Sequence, residues 1–263
     1  MIKKDDDNDP LADNHCGDLW ALCKKKTIPA GKVTVTLFEA PDDTSEFKAI
    51  VTKKLPEHYI VAKFLKKNGR EKIARLLAQE SPVKQNIKSG DMGEILATEL
   101  VNSGHFEFQV PIHRLCYKDA REWAMRGDDI IGFQFNVKPI RFLKGEAKSR
   151  EKLDDATLED ARSALDNNAG LPQSHSLAFI MQRLIQEDQD DKADLIEEYV
   201  LNRTPLSSQV SHLIFTFSEN DPSSLLCADA QKTNGTFAQY SVGVKVSNHQ
   251  TLIKEIYSEA ING

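Results

Sequence analysis

The sequence lacks the short motifs that mark several large enzyme classes. It has no G-x-x-x-x-G-K-[ST] loop and no G-x-G-x-x-G segment after a predicted strand, which argues against ATP hydrolysis and dinucleotide redox chemistry. It also has no G-x-S-x-G elbow, no H-E-x-x-H helix and no C-x-x-C pair. The seven histidines are scattered along the chain, so we interpret each of them as a core or surface residue rather than a catalytic one.

Cysteines and long apolar runs are also scarce. Four cysteines, at positions 16, 23, 116 and 227, are too few and too scattered for a disulfide framework, and their spacing matches no common zinc motif. No apolar run approaches the roughly 18–20 residues that a membrane helix needs. The first nine residues are mostly charged and lack the apolar core of a signal peptide. We therefore expect a protein of the reducing cytoplasm with no membrane partner.

The charge is acidic overall but unevenly distributed. The 263 residues include 34 Lys and Arg against 40 Asp and Glu, a net charge of −6, which argues against a generic nucleic-acid coat protein. Residues 154–200 hold twelve acidic and three basic residues, a net of −9, so the rest of the chain carries +3. We interpret these acids as solvated helix faces; the alternative is a partner-binding surface.

Hydrophobic periodicity predicts a mixture of strands and helices. Strands are predicted at 33–38, with 47–51 as its partner, at 130–137 paired with 141–148 as a hairpin, and at 213–217 and 240–246. Helices are predicted at 57–65, 70–78, 89–101, 155–165, 174–186 and 192–201, in part of 112–125, and after Asn248. This order predicts an α/β or α+β protein. We divide it into an N-terminal α+β region with an acidic tail, residues 1–84, and a larger domain, residues 85–263.

Acidic residues and one lysine form the most informative pattern. Glu94 lies on a predicted helix, Asp128 and Asp129 precede the first hairpin strand, and Glu146 and Lys148 lie on the second. Residues two apart in a strand face the same side, so Glu146 and Lys148 project together. The hairpin brings an aspartate beside them, and Glu94 closes the site from the helix.

Such a group suits metal-assisted hydrolysis of a phosphodiester. Clustered carboxylates are the hard oxygen ligands that Mg²⁺ or Mn²⁺ prefers, and a bound metal polarises a phosphate and activates water. An adjacent lysine orients the water or offsets charge in the transition state. Residues 138–152 contain six basic residues and two acidic ones, a local charge of +4 that favours an anionic substrate.

Three motifs together resemble the PD-(D/E)XK nucleases. They are Gly90-Asp91-Met92-Gly93-Glu94, then Arg126-Gly127-Asp128-Asp129-Ile130-Ile131, then Lys144-Gly145-Glu146-Ala147-Lys148-Ser149. The proline of the superfamily pattern is absent. In their wider context the motifs are similar to those of the HamA family of Hachiman antiphage defence systems, over roughly residues 85–260.

The resemblance implies a restriction-endonuclease-like core and a metal-dependent deoxyribonuclease. It implies metal ligation by Asp129 and Glu146, with Glu94 as a further ligand, and water positioning or charge stabilisation by Lys148. Ser149, Arg150 and Lys144 would contact DNA. It further implies a heteromeric complex with a superfamily 2 helicase, the HamB-like subunit, which would supply the ATP-driven motion for which this chain has no P-loop.

Other interpretations of the same residues stay open. Asp91-x-x-Glu94 is close to a capping box, in which Glu94 would bond the first amide of its own helix. Either Asp128 or Asp129 suits the metal site. Glu146 and Lys148 also suit an exposed ion pair, and residues 149–150 the start of a helix. We interpret Trp20 and Trp123 as core residues rather than base-stacking platforms. The whole domain is alternatively a catalytically silent subunit that holds DNA and gates the helicase.

Overall fold

A six-stranded mixed sheet forms the centre of the protein. The computed structural model describes residues 19–262; the predicted acidic tail lies outside them. The strands are β1 (Lys24–Ala30), β2 (Val33–Glu39), β3 (Ile130–Gln134), β4 (Arg141–Arg150), β5 (Val210–Ser218) and β6 (Ala238–Lys245). Their order is β1-β2-β6-β5-β4-β3. The four inner strands are parallel, and an antiparallel hairpin partner closes each edge.

Helices cover both faces of this sheet. They are α1 (Ser45–Tyr59), α2 (Ala62–Lys67), α3 (Arg70–Glu80), α4 (Gln85–Leu100), α5 (Asp155–Asp166), α6 (Ser174–Gln186), α7 (Asp190–Leu201), α8 (Ser223–Lys232) and α9 (His249–Asn262). This architecture confirms the α/β prediction. None of the helices within residues 19–262 is long and apolar enough to cross a membrane.

The alternation of side chains along β5 explains the three layers. Leu213 and Phe215 point into a core shared with α1, α4 and α9, whereas Ile214 points into a core shared with α5 and α8. A third core, under α6 and α7, covers β3 and the start of β4. Because β5 is buried on both faces, its central residues 213–217 are mostly apolar and do not alternate with polar ones.

Two local predictions in the N-terminal part are wrong. Residues 47–51 belong to α1 and not to a strand, because Phe47, Val51 and Leu55 recur at helical spacing and are all buried. The predicted helix 57–65 is interrupted at Ile60, whose backbone is extended between α1 and α2. The sheet takes strands from both sides of residue 84, and the division of the chain at that position stays a prediction.

Two elements were absent from the sequence interpretation. Strand β1 is mostly exposed and carries Lys24, Lys25 and Lys26, so it has no alternating apolar pattern. It forms because it pairs with β2 along its whole length. Helix α8 is ten residues long and buries two apolar side chains, Leu226 and Ala230, one turn apart. Strand β1 therefore depends on its hairpin partner, and helix α8 on the strands that it covers, more than on their own sequence patterns.

Helix α4 packs unusually close to β4. A Cβ atom placed on Gly93 would lie 3.2 Å from the Ser149 Cβ and 3.7 Å from the Ala147 Cβ. At Gly90, one turn earlier, an added Cβ would meet nothing within 4 Å. Gly93 is therefore the point at which the helix backbone rests on the strand.

This contrast makes a stability prediction for two variants of the same helix. We expect Gly90→Ala to raise the free energy of unfolding by about 0.5–1 kcal/mol, because alanine favours a helix more than glycine does. We expect Gly93→Val to lower it by about 1–3 kcal/mol, because the added methyl groups overpack the contact with β4. Urea denaturation of both variants and the wild type measures the difference. Equal effects in the two variants would contradict the close packing at Gly93.

Candidate active site

The β3–β4 hairpin places two of the predicted acids opposite each other. Ile130 pairs with Gly145 in antiparallel register, so Asp129, one residue earlier, faces Glu146. The Asp129 Oδ2 atom accepts a hydrogen bond from the Ala147 amide at 3.2 Å. The side chains of Asp129 and Glu146 are 20% and 13% exposed. Directly opposed like charges destabilise a strand pair, so this position favours a cation or a proton between the two carboxylates.

Lys148 supplies a positive charge on β4, the strand that also carries Glu146. Its Nζ atom donates a hydrogen bond to the Glu146 Oε1 atom at 2.8 Å, as the period of two in a strand predicts. The side chain of Lys148 is 19% exposed. This pair is therefore partly withdrawn from solvent and differs from the exposed ion pair that the sequence left open.

Glu94 approaches Asp129 from helix α4, with Arg114 between them. The Arg114 Nε atom lies 3.5 Å from the Glu94 Oε2 atom, and its Nη1 atom lies 4.0 Å from the Asp129 Oδ1 atom. The same guanidinium donates hydrogen bonds to the backbone oxygens of Asp128 and Arg126. Sequence reasoning missed Arg114 because it lies in a short turn without a motif.

The candidate residues form a chain of contacts rather than one compact shell. Asp129 is the shared neighbour of the other two acids. Arg114 lies between Asp129 and Glu94. Glu146 lies opposite Asp129 and is paired with Lys148. Among residues 19–262, the oxygens of Glu94, Asp129 and Glu146 do not all lie within 4.8 Å of one another. The three acids therefore line a site wider than the arrangement expected for a single bound ion.

Burial and mutual repulsion raise the proton affinity of two of these acids. Burial, together with the nearby Asp129 charge, raises the pKa of Glu94 to about 8, although Arg114 opposes the shift. Burial and the Asp129 charge likewise raise the pKa of Glu146 to about 7, against the effect of Lys148. Strong shifts of this kind cluster at functional sites because binding and catalysis need charges in low-dielectric surroundings.

The capping-box interpretation of Asp91 and Glu94 is wrong. Helix α4 begins at Gln85, so both residues lie inside the helix and not at its first turn. The Asp91 carboxylate accepts hydrogen bonds from Lys118 Nζ at 2.9 and 3.0 Å and from the Tyr59 hydroxyl at 2.6 Å. Asp91 is thus held in the interior by its own cation, and Glu94 is left to face Arg114.

Asp128 has a structural position that separates it from Asp129. Its Oδ2 atom accepts a hydrogen bond from the Gln173 amide at 2.9 Å, and its Oδ1 atom lies 3.6 Å from Lys144 Nζ. Lys144 is 1% exposed and also donates to the backbone oxygens of Leu165 and Asn167. The adjacent aspartates therefore serve different neighbours, and Asp129 alone faces Glu146.

Burial argues against two of the three expected DNA contacts. Lys144 has no exposed surface with which to reach a phosphate in this conformation. Ser149 is also buried, and its hydroxyl pairs with Ser89 Oγ and His249 Nε2 at 2.9 Å each. Arg150 is exposed, and its contact with DNA stays a prediction.

The two tryptophans differ from each other. Trp20 is buried in the main core, as predicted. Trp123 is 69% exposed, so its interpretation as a core residue is wrong. It lies in the loop that leads to Arg126, and Arg126 lines a cavity of about 110 Å³ together with Arg114, Asp129 and His175. Arg126 therefore places a positive charge beside the candidate site, three residues after the exposed Trp123.

Comparison with known proteins agrees with the resemblance of the motifs. A sequence model described as HamA matches residues 14–260. The chain is also similar to a protein named Hachiman protein HamA from Bacillus cereus, with 25% identity over 165 residues. Those residues make up 62% of this chain and 58% of the relative, so the match spans less than two thirds of that protein.

The two lysines of β4 make a prediction that separates structure from function. Lys144→Met should lower the free energy of unfolding by about 3 kcal/mol or more, because it leaves the buried Asp128 charge without its cation. Lys148→Met, the same change on the same strand, should lower it by less, because the side chains of Lys148 and Glu146 are 19% and 13% exposed and water can still reach the carboxylate that is left. Guanidinium denaturation at pH 7 measures both values, and comparable losses would contradict the assignment of Lys144 to a structural role.

The raised pKa of Glu94 predicts how stability depends on pH. Between about pH 4.5 and 8 the folded protein binds more protons at this site than the unfolded chain does. The stability from this group is therefore full below pH 4.5 and is lost as pH rises to 8. In EDTA, Glu94→Gln should raise the melting temperature more at pH 8 than at pH 5, by about 2 °C or more.

Glu159→Gln, an exposed substitution of the same kind on α5, is the control for this measurement. It should leave the pH profile of the melting temperature unchanged. A Glu94→Gln profile that runs parallel to the wild type would contradict the buried, proton-binding state of Glu94.

Proposed function

The chain belongs to the HamA family, and we propose that it is a metal-dependent DNA nuclease that acts as the effector subunit of a bacterial antiphage defence complex. The family match covers residues 14–260 and supports the link to Hachiman defence. Nuclease chemistry is the finer part of this proposal, and it rests on the geometry of the hairpin.

The observation that carries the proposal is the acid pair across the β3–β4 hairpin. Asp129 faces Glu146, and Lys148 donates a hydrogen bond to Glu146. The three residues follow the D…E-x-K order of the PD-(D/E)XK pattern. Helix α4 precedes the hairpin and carries Glu94, so we also propose a restriction-endonuclease-like core for residues 85–263, with residues 1–84 as an N-terminal region.

The side chains present suit Mg²⁺ or Mn²⁺. The donors are carboxylate oxygens, which these hard cations prefer, and the Glu94 Oε2 atom is buried without a hydrogen-bond partner. Asp129 and Glu146 would hold the ion, with Glu94 as a further ligand. A bound divalent metal supplies Lewis-acid polarisation of the phosphate and a water of lowered pKa.

The remaining groups have distinct roles in this proposal. Lys148 orients the attacking water and offsets the negative charge that develops on the phosphate. A cation held by Asp129 and Glu146 would oppose the burial and the Asp129 charge that raise the pKa of Glu146 to about 7, and would keep this carboxylate ionised. Arg114 lies between Glu94 and Asp129 and holds both side chains at the site. Arg150 is the exposed cation nearest to these residues along β4 and would contact the DNA backbone.

The proposed complex also contains a helicase subunit. The sequence has no ATP-binding loop, and a superfamily 2 helicase subunit, HamB-like, would supply strand separation and control access to the site. Many of the acids within 154–200 are exposed on α5 and α7; they would repel DNA from that face and leave it available to a protein. We place this complex, with DNA as substrate, in the bacterial cytoplasm.

A catalytically silent subunit of the same fold is the alternative. It is favoured by the wide spacing of the three acids and by the position of Arg114, whose charge occupies the space between Glu94 and Asp129. In that case the domain would hold DNA and gate the helicase without cutting.

One comparison tests the proposal against this alternative. The chain is assayed with linear and circular DNA and Mg²⁺, with and without a HamB-like superfamily 2 helicase. We expect Glu146→Gln and Lys148→Met each to lower cleavage by about 100-fold or more, because the first removes a metal ligand and the second removes the charge that stabilises the transition state. Addition of EDTA should abolish cleavage in every sample.

Glu151→Gln and Lys152→Met are the matched controls. Both side chains are exposed just beyond β4, so both variants should cut DNA at the wild-type rate. Cleavage that survives in Glu146→Gln and Lys148→Met would refute the assigned site. A wild-type complex that binds DNA but cuts it under none of these conditions would favour the silent subunit.

A further inference from the structure

A second group of potential metal ligands lies away from the candidate active site. It consists of His58 near the end of α1, Glu99 near the end of α4 and His113 in the segment that follows. One ligand atom from each residue lies within 4.8 Å of the others. We propose that these three side chains bind a single zinc ion that fixes the local structure.

The contacts within the group bring two imidazoles and one carboxylate together. The His58 Nε2 atom lies 2.9 Å from the Glu99 Oε1 atom. The rings of His58 and His113 stack at 4.2 Å between centroids and 11° between planes, so one ring must turn before a nitrogen of each can point at the same ion. The three residues come from separate segments of the chain, which explains why no motif in the sequence indicated them.

The hydrogen bond on the far side of His113 leaves one of its nitrogens ready to bind a metal. The His113 Nδ1 atom lies 2.9 Å from the backbone oxygen of Glu57. A carbonyl oxygen can only accept, so Nδ1 carries the proton and Nε2 keeps its lone pair. A backbone carbonyl in this position is the usual support of a metal-binding histidine, because it fixes both the ring and its tautomer.

The two carboxylate oxygens of Glu99 also have different partners. Its Oε2 atom lies 3.5 Å from Lys54 Nζ, whereas its Oε1 atom faces His58. The lysine therefore holds one oxygen in place from outside the group while the other points towards the imidazole. His58 itself is 2% exposed, so the group is anchored in the interior and not displayed on a mobile surface.

The chemistry of the group favours zinc over the metals expected at the hairpin. Two imidazoles and one carboxylate form a ligand set that Zn²⁺ accepts, with one coordination position left for water. Mg²⁺ and Mn²⁺ prefer sites made of oxygen alone. A cavity of about 450 Å³ reaches Glu99 and His113 and gives an ion and its water a path from solvent.

The position of the group indicates which part of the structure the zinc would stabilise. His113 is followed directly by Arg114, the residue that lies between Glu94 and Asp129. Glu99 is five residues after Glu94 on α4 and therefore about 140° away around the helix. A metal at His58, Glu99 and His113 would tie α1 to α4 and fix the start of the segment that carries Arg114.

Metal analysis of the full-length protein tests this inference. The protein is stripped with EDTA, incubated with excess ZnCl₂, desalted and measured by mass spectrometry for zinc per chain. We expect one zinc per chain in the wild type and less than about one tenth of that in His113→Ala and Glu99→Gln. His105→Ala is the control: His105 is exposed, its Nδ1 atom lies 2.7 Å from Ser103 Oγ, and its ring packs edge-on against Phe38, so this variant should keep its zinc.

Substitution with Co²⁺ gives a second measurement that does not depend on the variants folding. Co²⁺ bound to the wild type should give the intense visible absorption of tetrahedral coordination, and Zn²⁺ should abolish it in competition. Wild-type protein that lacks this spectrum, or that retains no more zinc than folded His113→Ala, would overturn the proposal and leave an ion-paired histidine cluster. Glu146→Gln should keep its zinc, so failure of the nuclease proposal would leave this result unaffected.

Discussion

The contact between α4 and β4 is the constraint on which the rest of the site depends. Gly93 lets the helix backbone rest on Ala147 and Ser149, and Ser89 bonds Ser149 one turn earlier. With a larger side chain at this point, the helix would stand farther from the sheet. Glu94, the next residue, would then lie too far from Asp129 to share Arg114 with it. The geometry of the charged residues is thus set by a contact between small, neutral ones.

The interior of the protein holds several acids, and each lies beside a cation. Arg114 serves Glu94 and Asp129, Lys118 serves Asp91, and Lys144 serves Asp128. A buried charge without a partner is costly, whereas a paired and hydrogen-bonded one is tolerated. Because their partners differ, the two adjacent aspartates have different surroundings. Asp128 is fixed in the core by Lys144, whereas Asp129 remains beside Glu146 with its charge only partly offset.

The sequence predicted those features that repeat over short distances. The apolar stripe of α4, the β3–β4 hairpin and the shared face of Glu146 and Lys148 all follow from local periodicity. Strand β1 could not be predicted, because its pairing with β2 and not its own pattern makes it a strand. Arg114 and Lys118 were missed for the same reason: a loop cation is recognisable only when the fold has brought it to an acid. The His58, Glu99 and His113 group was missed because its members are far apart in sequence.

The two edge strands of the sheet, β1 and β3, affect how this protein can associate with other molecules. An edge strand offers unpaired backbone groups to which another chain can add a strand. Strand β1 carries consecutive exposed lysines at one edge, whose charge would oppose a second copy of itself. At the other edge, Gln109 already exchanges two backbone hydrogen bonds with Phe133 of β3. Both edges of the sheet therefore carry a feature that opposes its extension by a neighbouring molecule, which favours the helices and loops as the surfaces for specific assembly.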